Sequence, residues 1–226
     1  MGAGGNSLSS SDPSRAAIRL AFGCDDALAQ SIAALGRETA QPRGAVLWPQ
    51  SDRHEAILML AGRAQEVAYG RDGTILLLHL LGPGDLFGDL VGGGDPVSQV
   101  EAVDHGRGAH FASATILRLM ESYSCVGLAI SRQLARRLAG LRHRMVETAL
   151  LSATGRICAE LLRRGGDQPD RTIRPMPVMS ELAVTVQSTR ETVSRTVSQL
   201  ERRGIVRRVD GGLEIVAPHR LEEQAY

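Results

Sequence analysis

The sequence has 226 residues, of which 43% are hydrophobic and 23% are charged, and its net charge is +1. This is the composition of an ordinary globular protein, and the length suits one large domain or two modest ones. No apolar run reaches the roughly 20 residues of a membrane span and no signal peptide opens the chain, which argues against a membrane or secreted protein. The widely spaced cysteines Cys24, Cys125 and Cys158 indicate a reduced, cytoplasmic protein.

The near-neutral total hides a local excess of positive charge. All 26 basic residues are arginines. Residues 1–118 carry nine of them against thirteen acids, whereas residues 187–208 carry six against two. Clustered positive charge is what a nucleic-acid surface requires, because neutralised phosphates release counterions. Most arginine runs are only solvated faces, so charge alone directs attention to this segment without assigning it a function.

In chain order, the pattern predicts a disordered tail, a short helix and then strands. Residues 1–14 are rich in Gly and Ser and have almost nothing to bury. Apolar residues then recur at helical spacing as far as Leu35. The next region holds four short apolar runs separated by Gly, Pro and Asp, which predict an antiparallel roll or barrel. The runs are Ala45–Leu47, Ile57–Leu60, Ile75–Leu81 and Val97–Val103.

A long helix is predicted from Ala114 to about Ala149, since this stretch has no proline and only two glycines. Its apolar residues alternate at steps of four and three, and they form a narrow seam flanked by arginines. Such a seam predicts a coiled-coil-like contact between two copies of the chain; the alternative is one helix packed on its own roll. The seam consists of Ile130, Leu134, Leu138, Leu141 and Met145.

The remainder is predicted to form a helix over residues 151–164, two short helices and a β-hairpin. The hairpin would pair Val206–Val209 with Leu213–Val216 through Asp210-Gly211-Gly212. Two short helices followed by a hairpin are typical of a winged helix-turn-helix.

The two short helices lie within Val178–Leu200. Ser180 is placed to cap the first, and Ser188 to begin the second, with Glu191 three residues later at capping-box spacing. The second helix would bury one apolar stripe, formed by Val193, Val197 and Leu200. Its outer face would then carry Thr189, Arg190, Ser194 and Arg195, with Glu191 at the N-terminal edge.

The chemistry of this outer face suits base reading. An arginine offers a planar fork to guanine O6 and N7, and a carboxylate accepts from cytosine N4, so Arg195 and Glu191 could read neighbouring base pairs. The alternatives are that Glu191 is only a helix cap and that the arginines form a solvated face. The predicted base-reading residues are Arg190, Glu191, Ser194 and Arg195. The predicted contacts to the DNA backbone are Ser180, Thr189, Arg202, Arg203, Arg207 and Arg208.

From about residue 16 onward, the chain resembles the Crp/Fnr superfamily of bacterial transcription regulators. Three segments carry the resemblance, in order and at the family's spacing: a Pro-Gly-Asp-x-Phe-Gly-Asp-Leu turn, a dimer helix leading into the DNA-binding domain, and a recognition-helix motif. These segments are Pro83–Leu90, Gln133–Leu138 with Ala153–Ile157, and Arg190–Arg195.

The resemblance implies an α+β fold with three parts. These would be an N-terminal antiparallel β-roll of the cyclic-nucleotide-binding type over residues 15–113, a dimerisation helix over 114–149, and a winged helix-turn-helix over 150–226. It also implies a homodimer that binds a palindromic DNA operator. Glu191 and Arg195 match readers of the shared GA core, while Arg190 and Ser194 leave open a half-site resembling TGTGA or TTGA. An activator would in addition contact RNA polymerase.

The sensor loop departs from the cyclic-AMP branch of the family. That branch has Gly-Glu-Leu and then an Arg-Ser pair that binds the cyclic phosphate; here Asp89 replaces the Glu, and Pro96-Val97 replaces the pair. No arginine occurs between Arg71 and Arg107, so a cyclic phosphate would lose a charge-assisted partner, which argues against cyclic AMP. The residues expected to line an effector pocket are Gly88, Asp89, Leu90, Val97, Ser98, Leu141 and Arg142.

The sequence also bears on other ligands of the β-roll and on the alternative that the protein is an enzyme. An iron–sulfur cluster needs about four thiolates, and only Cys24 lies near the N-terminus, which argues against that branch. Cyclic di-GMP, haem and the absence of any ligand stay open, and no metal site is predicted. A cupin-like enzyme is the distant alternative, but the chain has no His-x-His, Gly-x-Ser-x-Gly, Walker-A or H-E-x-x-H motif and hence no predicted catalytic residue.

Overall fold

The computed structural model describes residues 13–49, 54–71, 75–90, 98–166 and 168–226. The chain divides into two compact units. The first comprises the residues up to Val67 together with Leu78–Leu138, and the second comprises Ala68–Leu77 together with Ala139–Tyr226. Residues 1–12 of the predicted tail, the predicted turn at 92–96 and Val97 lie outside the described residues.

Two helices open the described chain where the sequence predicted one. Helix α1 (Pro13–Phe22) begins two residues inside the predicted tail, and helix α2 (Asp26–Leu35) follows after a short break. Gly23 in the break has a φ of +60°, a left-handed conformation that glycine adopts without steric cost. The Asp25 side chain then caps α2 by accepting a hydrogen bond from the Leu28 N–H at 2.8 Å. Because the apolar residues keep their helical spacing across this break, the sequence pattern predicted one helix instead of two.

Within the residues that the structure describes, eight strands build the predicted antiparallel roll, which the structure confirms. They form two four-stranded sheets with the strand orders β1-β8-β3-β6 and β2-β7-β4-β5. The strands are β1 (Arg37–Gln41), β2 (Val46–Trp48), β3 (Glu55–Ala61), β4 (Ala64–Tyr69), β5 (Ile75–Leu81), β6 (Leu86–Gly88), β7 (Gln99–Ala102) and β8 (Gly106–Ala112).

The central strand β3 explains how two cores form around one sheet. Successive side chains of a strand point to opposite faces, so a strand that is buried on both faces is continuously apolar. Ile57 and Met59 pack with residues of the other sheet, whereas Leu58 packs with the helices, among them Ile18 and Ile116. The first sheet is therefore covered by strands on one face and by helices on the other.

The predicted long helix is interrupted. Helix α3 (Ser113–Ser122) ends before Tyr123, and helix α4 (Ser124–Leu150) continues for 27 residues. The seam prediction is wrong at Ile130, which is buried in the core beneath the helices together with Val126. The heptad spacing could not distinguish a residue that faces its own roll from one that faces solvent.

The second unit contains the remaining elements around its own core. These elements are α5 (Ala153–Gly166), β9 (Thr172–Ile173), α6 (Met179–Thr185), α7 (Arg190–Arg202), β10 (Val206–Val209), β11 (Gly212–Ile215) and α8 (Pro218–Ala225). Strand β11 pairs with both β10 and β9, and the sequence interpretation missed β9 and α8. Across the described chain, no helix combines the length and apolarity needed to cross a membrane.

Candidate nucleic-acid interface

The second helix of the predicted helix-turn-helix is α7, and its N-terminus is capped by a different residue from the one predicted. Thr189 is the N-cap, and its Oγ1 accepts from the Thr192 N–H at 3.2 Å. The capping role given to Ser188 is therefore wrong, because the helix begins two residues later. Ser180 is likewise not a cap, since α6 begins at Met179 and its N-cap Val178 makes no side-chain cap bond.

Helix α7 separates an apolar face from a polar face as its spacing predicted. Val193, Val197 and Leu200 are almost fully buried in the core of the second unit. Arg190, Glu191, Thr189 and Arg195 are exposed and Ser194 is half-buried, so the structure brings these side chains together on one surface. Neither arginine nor Glu191 has a hydrogen bond or ion pair with another residue in the part of the chain that the structure describes.

Arg156 stabilises the turn between α6 and α7. The sequence interpretation gave this residue no role of its own. Its guanidinium donates to three backbone carbonyl oxygens: Nε to Val186 at 2.8 Å, Nη1 to Leu151 at 2.9 Å and Nη2 to Gln187 at 3.1 Å. Gln187 has a φ of +51°, a conformation that side chains with a Cβ rarely adopt. Arg156 therefore holds a strained turn that fixes the position of α7.

The predicted wing is present, shifted by one residue on its second strand. Val206 pairs with Ile215 and Val209 with Gly212, so the turn consists of Asp210 and Gly211. Gly211 has a φ of +67°. Asp-Gly is a favoured two-residue hairpin loop because glycine accepts a positive φ.

Three of the four arginines predicted to contact phosphate already have partners within the chain. Arg207 donates to Glu214 at 2.7 and 3.0 Å, Arg208 to Glu201 at 3.3 Å, and Arg203 to Gln224 at 2.9 Å. Arg202, at the end of α7, has no such partner among the described residues. This difference could not be read from the sequence, because the partners come from other elements.

The residues predicted for an effector pocket are distributed over both units. Asp89 Oδ2 lies 2.5 Å from Nδ1 of His54, an exposed side chain, and Ser98 donates to Glu66 Oε1 at 2.7 Å. Gly88 has a φ of +102° at the end of β6 and Leu90 packs beside the core under the helices, both in the first unit. Exposed Leu141 and Arg142 belong to the second unit, and Val97 lies outside the described residues.

A half-buried cation that the sequence interpretation missed lies in the first unit. Arg137 Nη2 is 3.7 Å from Asp85 Oδ1, and its Nε and Nη2 atoms are buried without a hydrogen bond among the described residues. Burial lowers the pKa of the Arg137 guanidinium below its usual value, while Asp85 and Glu66 act in the opposite direction. Gln133 also donates to Asp85, so the Pro83–Leu90 turn is tied to α4.

The rest of the predicted seam is exposed in the single chain. Leu134, Leu138, Leu141 and Met145 are 42–76% exposed along α4. Apolar residues exposed in succession along one helix are typical of an interaction surface rather than of a solvated helix.

A winged helix-turn-helix whose second helix exposes polar side chains, in a chain that also builds a β-roll, is the architecture of a DNA-binding transcription regulator. Comparison with known proteins agrees: residues 155–224 match a family model described as the Crp-like helix-turn-helix domain. The cyclic AMP receptor protein of Thermus thermophilus is 32% identical over 193 residues, which cover 82% of this chain and 86% of that protein. The chain belongs to the Crp/Fnr family of transcription regulators, which confirms the resemblance read from its motifs.

Solved structures share the fold at lower sequence identity. A CooA mutant from Carboxydothermus hydrogenoformans has a TM-score of 0.77 at 19% identity and covers 87% of this chain and 90% of that one. The c-di-GMP responsive regulator CLP of Xanthomonas campestris has a TM-score of 0.69 at 20% identity, with coverages of 84% and 99%. The combination of β-roll and winged helix-turn-helix is thus shared with structures of regulators.

Proposed function

We propose that the protein regulates transcription as a homodimer that binds a palindromic operator and reads it with α7. The observation that carries this proposal is the state of the outer face of α7, where Arg190, Glu191 and Arg195 are exposed and unpaired among the described residues. Because no internal ion pair must be broken, these side chains can meet base edges without losing a partner. Ser194 lies on the same surface as the fourth reader.

The two predicted readers lie on the same face of α7. Glu191 and Arg195 are about one helical turn apart, so both can face base edges when the helix lies in a major groove. Arg195 would take guanine O6 and N7, while Glu191 would accept from cytosine N4. This pairing supports the GA-core half-site that the family resemblance implies.

Contacts to the DNA backbone would come from Ser180 and Thr189 at the helix N-termini and from four arginines. Arg202 is expected to contribute most to DNA affinity, because the other three arginines already have partners inside the chain. Arg207 and Arg208 are paired with glutamates, and Arg203 donates a hydrogen bond to Gln224. Replacement of Arg202 should therefore lower the salt dependence of DNA binding by close to one phosphate contact, and replacement of Arg207 by less.

The direct test is selection from a randomised palindromic DNA library with the purified protein, followed by affinity measurements on the selected operator. Arg195→Ala should cost about 1–3 kcal/mol and relax specificity at one base position. Arg118→Ala is the matched control, since Arg118 is an exposed helical arginine of the other unit. Unchanged affinity and specificity in the Arg195 variant would contradict the assignment of α7 as the reading helix.

The homodimer is supported by the exposed seam of α4. Leu138→Glu should convert the protein to a monomer in sedimentation equilibrium, because a carboxylate would be buried against the partner copy. Leu20→Glu is the control, since Leu20 is 81% exposed on α1 and lies outside the seam. A wild-type protein that stays monomeric at tens of micromolar would remove the basis for a palindromic operator.

The effector is proposed not to be cyclic AMP, although the Thermus thermophilus relative is named for it. A cyclic phosphate would bring negative charge to a region that contains Asp85, Asp89 and Glu66, where Arg137 already faces two of these acids. Millimolar cyclic AMP should therefore leave operator affinity unchanged, and a tenfold tightening would overturn this part of the proposal. Cyclic di-GMP, to which CLP responds, and haem are the next additions to the same assay.

A further inference from the structure

We propose that the β-roll carries a small-molecule site between β1 and β2, which binds a planar molecule with a hydrogen-bond donor beside an acceptor, such as a carboxamide or a nucleobase. The site is a cavity of about 220 Å³. Its polar wall consists of Arg37, Thr39, Gln41 and His110, and the rest of the wall is formed by small apolar side chains. None of these residues belongs to the α7 surface or to the expected effector pocket.

Gln41 is the main reason to assign a ligand to this cavity. Its side chain is 2% exposed, and both its amide nitrogen and its amide oxygen are buried without a hydrogen-bond partner among the described residues. Buried polar groups are almost always hydrogen-bonded, so an amide left without any bond calls for a specific explanation. The amide lies over Gly108, and Gln41 is one of the residues that line the cavity.

The second polar group of the wall is held in a defined orientation. His110 is buried, with Nδ1 3.1 Å from Glu55 Oε2 and Nε2 2.9 Å from Thr39 Oγ1. The ring is therefore fixed between Glu55 and Thr39, and the Thr39 hydroxyl oxygen, which has two lone pairs, is not used up by its one contact with the ring. The Thr39 oxygen then retains a lone pair for a donor in the cavity.

These groups define the chemistry of the ligand. The Gln41 amide presents one donor and one acceptor side by side, the pattern with which glutamine pairs with the edge of adenine. Thr39 adds a further acceptor, and the apolar remainder of the wall suits a flat ring. The volume equals roughly seven waters at about 30 Å³ each, which is enough for a nucleobase or nicotinamide but not for a dinucleotide.

The experiment uses the full-length protein and two probes, adenine and nicotinamide, followed by saturation-transfer NMR and calorimetry. At least one probe should bind saturably, and Gln41→Leu should weaken that binding at least tenfold. Gln65→Leu is the matched control, because Gln65 lies on the other sheet and bonds to Glu101. Thr39→Val provides a second variant should Gln41→Leu fail to fold, and it is expected to weaken binding at least threefold.

Three outcomes would overturn the proposal. Neither probe binds, in which case the cavity is not a site for this class of molecule. A probe binds equally well to wild type, Gln41→Leu and Thr39→Val, in which case it binds elsewhere. Benzoate, added as a third probe, binds while adenine and nicotinamide do not, in which case the site selects an anion beside Arg37 rather than a paired donor and acceptor.

Discussion

The two compact units differ in how completely their buried polar groups are hydrogen-bonded among the described residues. In the second unit, buried Glu160 is bound by Arg163 and Arg164, and Glu147 by Arg163 and His143. In the first unit, Gln41 and Arg137 both bury polar atoms that have no hydrogen bond among the described residues.

This difference agrees with the roles proposed for the two units. The proposed reading helix must be held in one position before DNA arrives, so polar groups that are satisfied within the chain are an advantage in the second unit. Unsatisfied groups reduce stability, but they leave bonding capacity for a ligand. The β-roll is therefore the unit in which binding of a small molecule would change stability most.

The largest change in the free energy of unfolding is expected at Arg156, whose guanidinium makes three hydrogen bonds in the second unit. Arg156→Met should lower the free energy of unfolding by about 3 kcal/mol, because three part-buried hydrogen bonds to backbone carbonyl oxygens are lost. Urea unfolding measures this change. Arg207→Met, which removes only an exposed pair with Glu214, should cost less than about 1 kcal/mol. Equal losses in the two variants would show that the turn does not depend on Arg156.

A gain in the free energy of unfolding, instead of a loss, is expected for a substitution in the β-roll. Gln41→Leu keeps a similar shape and removes an unsatisfied amide, so it should raise the free energy of unfolding by about 1 kcal/mol. The same urea titration measures it, with Gln65→Leu as the variant that instead loses a bonded amide. A destabilisation in Gln41→Leu would mean that the amide is already satisfied in solution, and the contrast between the two units would fail.

The effect of Cys158 on stability is the smallest at neutral pH, where it vanishes, and it develops only in alkaline solution. Burial raises the pKa of this thiol from 9.0 to about 11. Above pH 9 the unfolded chain loses the proton that the folded chain keeps, so this contribution to stability falls as the pH rises from about 9 to about 11. Urea midpoints between pH 8 and 11 should fall more steeply for wild type than for Cys158→Ala. Parallel slopes would contradict a thiol that stays protonated in the folded state.

Structural features that depend on residues only a few positions apart could be predicted from the sequence. The stripe of Val193, Val197 and Leu200 fixed which face of α7 is buried, and so the outward set followed from geometry alone. The wing was predicted because Asp210-Gly211 is a local turn signal. The cap was misplaced by one residue, since Ser188 and Thr189 are both good caps and only the backbone decides between them.

Features that depend on distant partners could not be predicted. Strand β1 reads Arg-Glu-Thr-Ala-Gln, without an apolar run, and is held by pairing with β8 about 70 residues later. Strands β4, β6 and β8 were missed for a related reason, because their apolar runs are short or interrupted by polar residues. The sequence interpretation counted Arg137 among the arginines that flank the seam. Its partial burial and its two acidic neighbours, Asp85 and Glu66, depend on strands of the roll that are distant in sequence.

The exposed apolar row on α4 has a consequence for every binding measurement. Where two copies associate through Leu138 and Met145, dissociation on dilution uncovers this surface, and apparent stability depends on protein concentration by mass action. An operator titrated at nanomolar protein would then report subunit association and DNA recognition as one free energy. A covalently tethered pair of chains would separate the two, because its effective subunit concentration no longer changes with dilution.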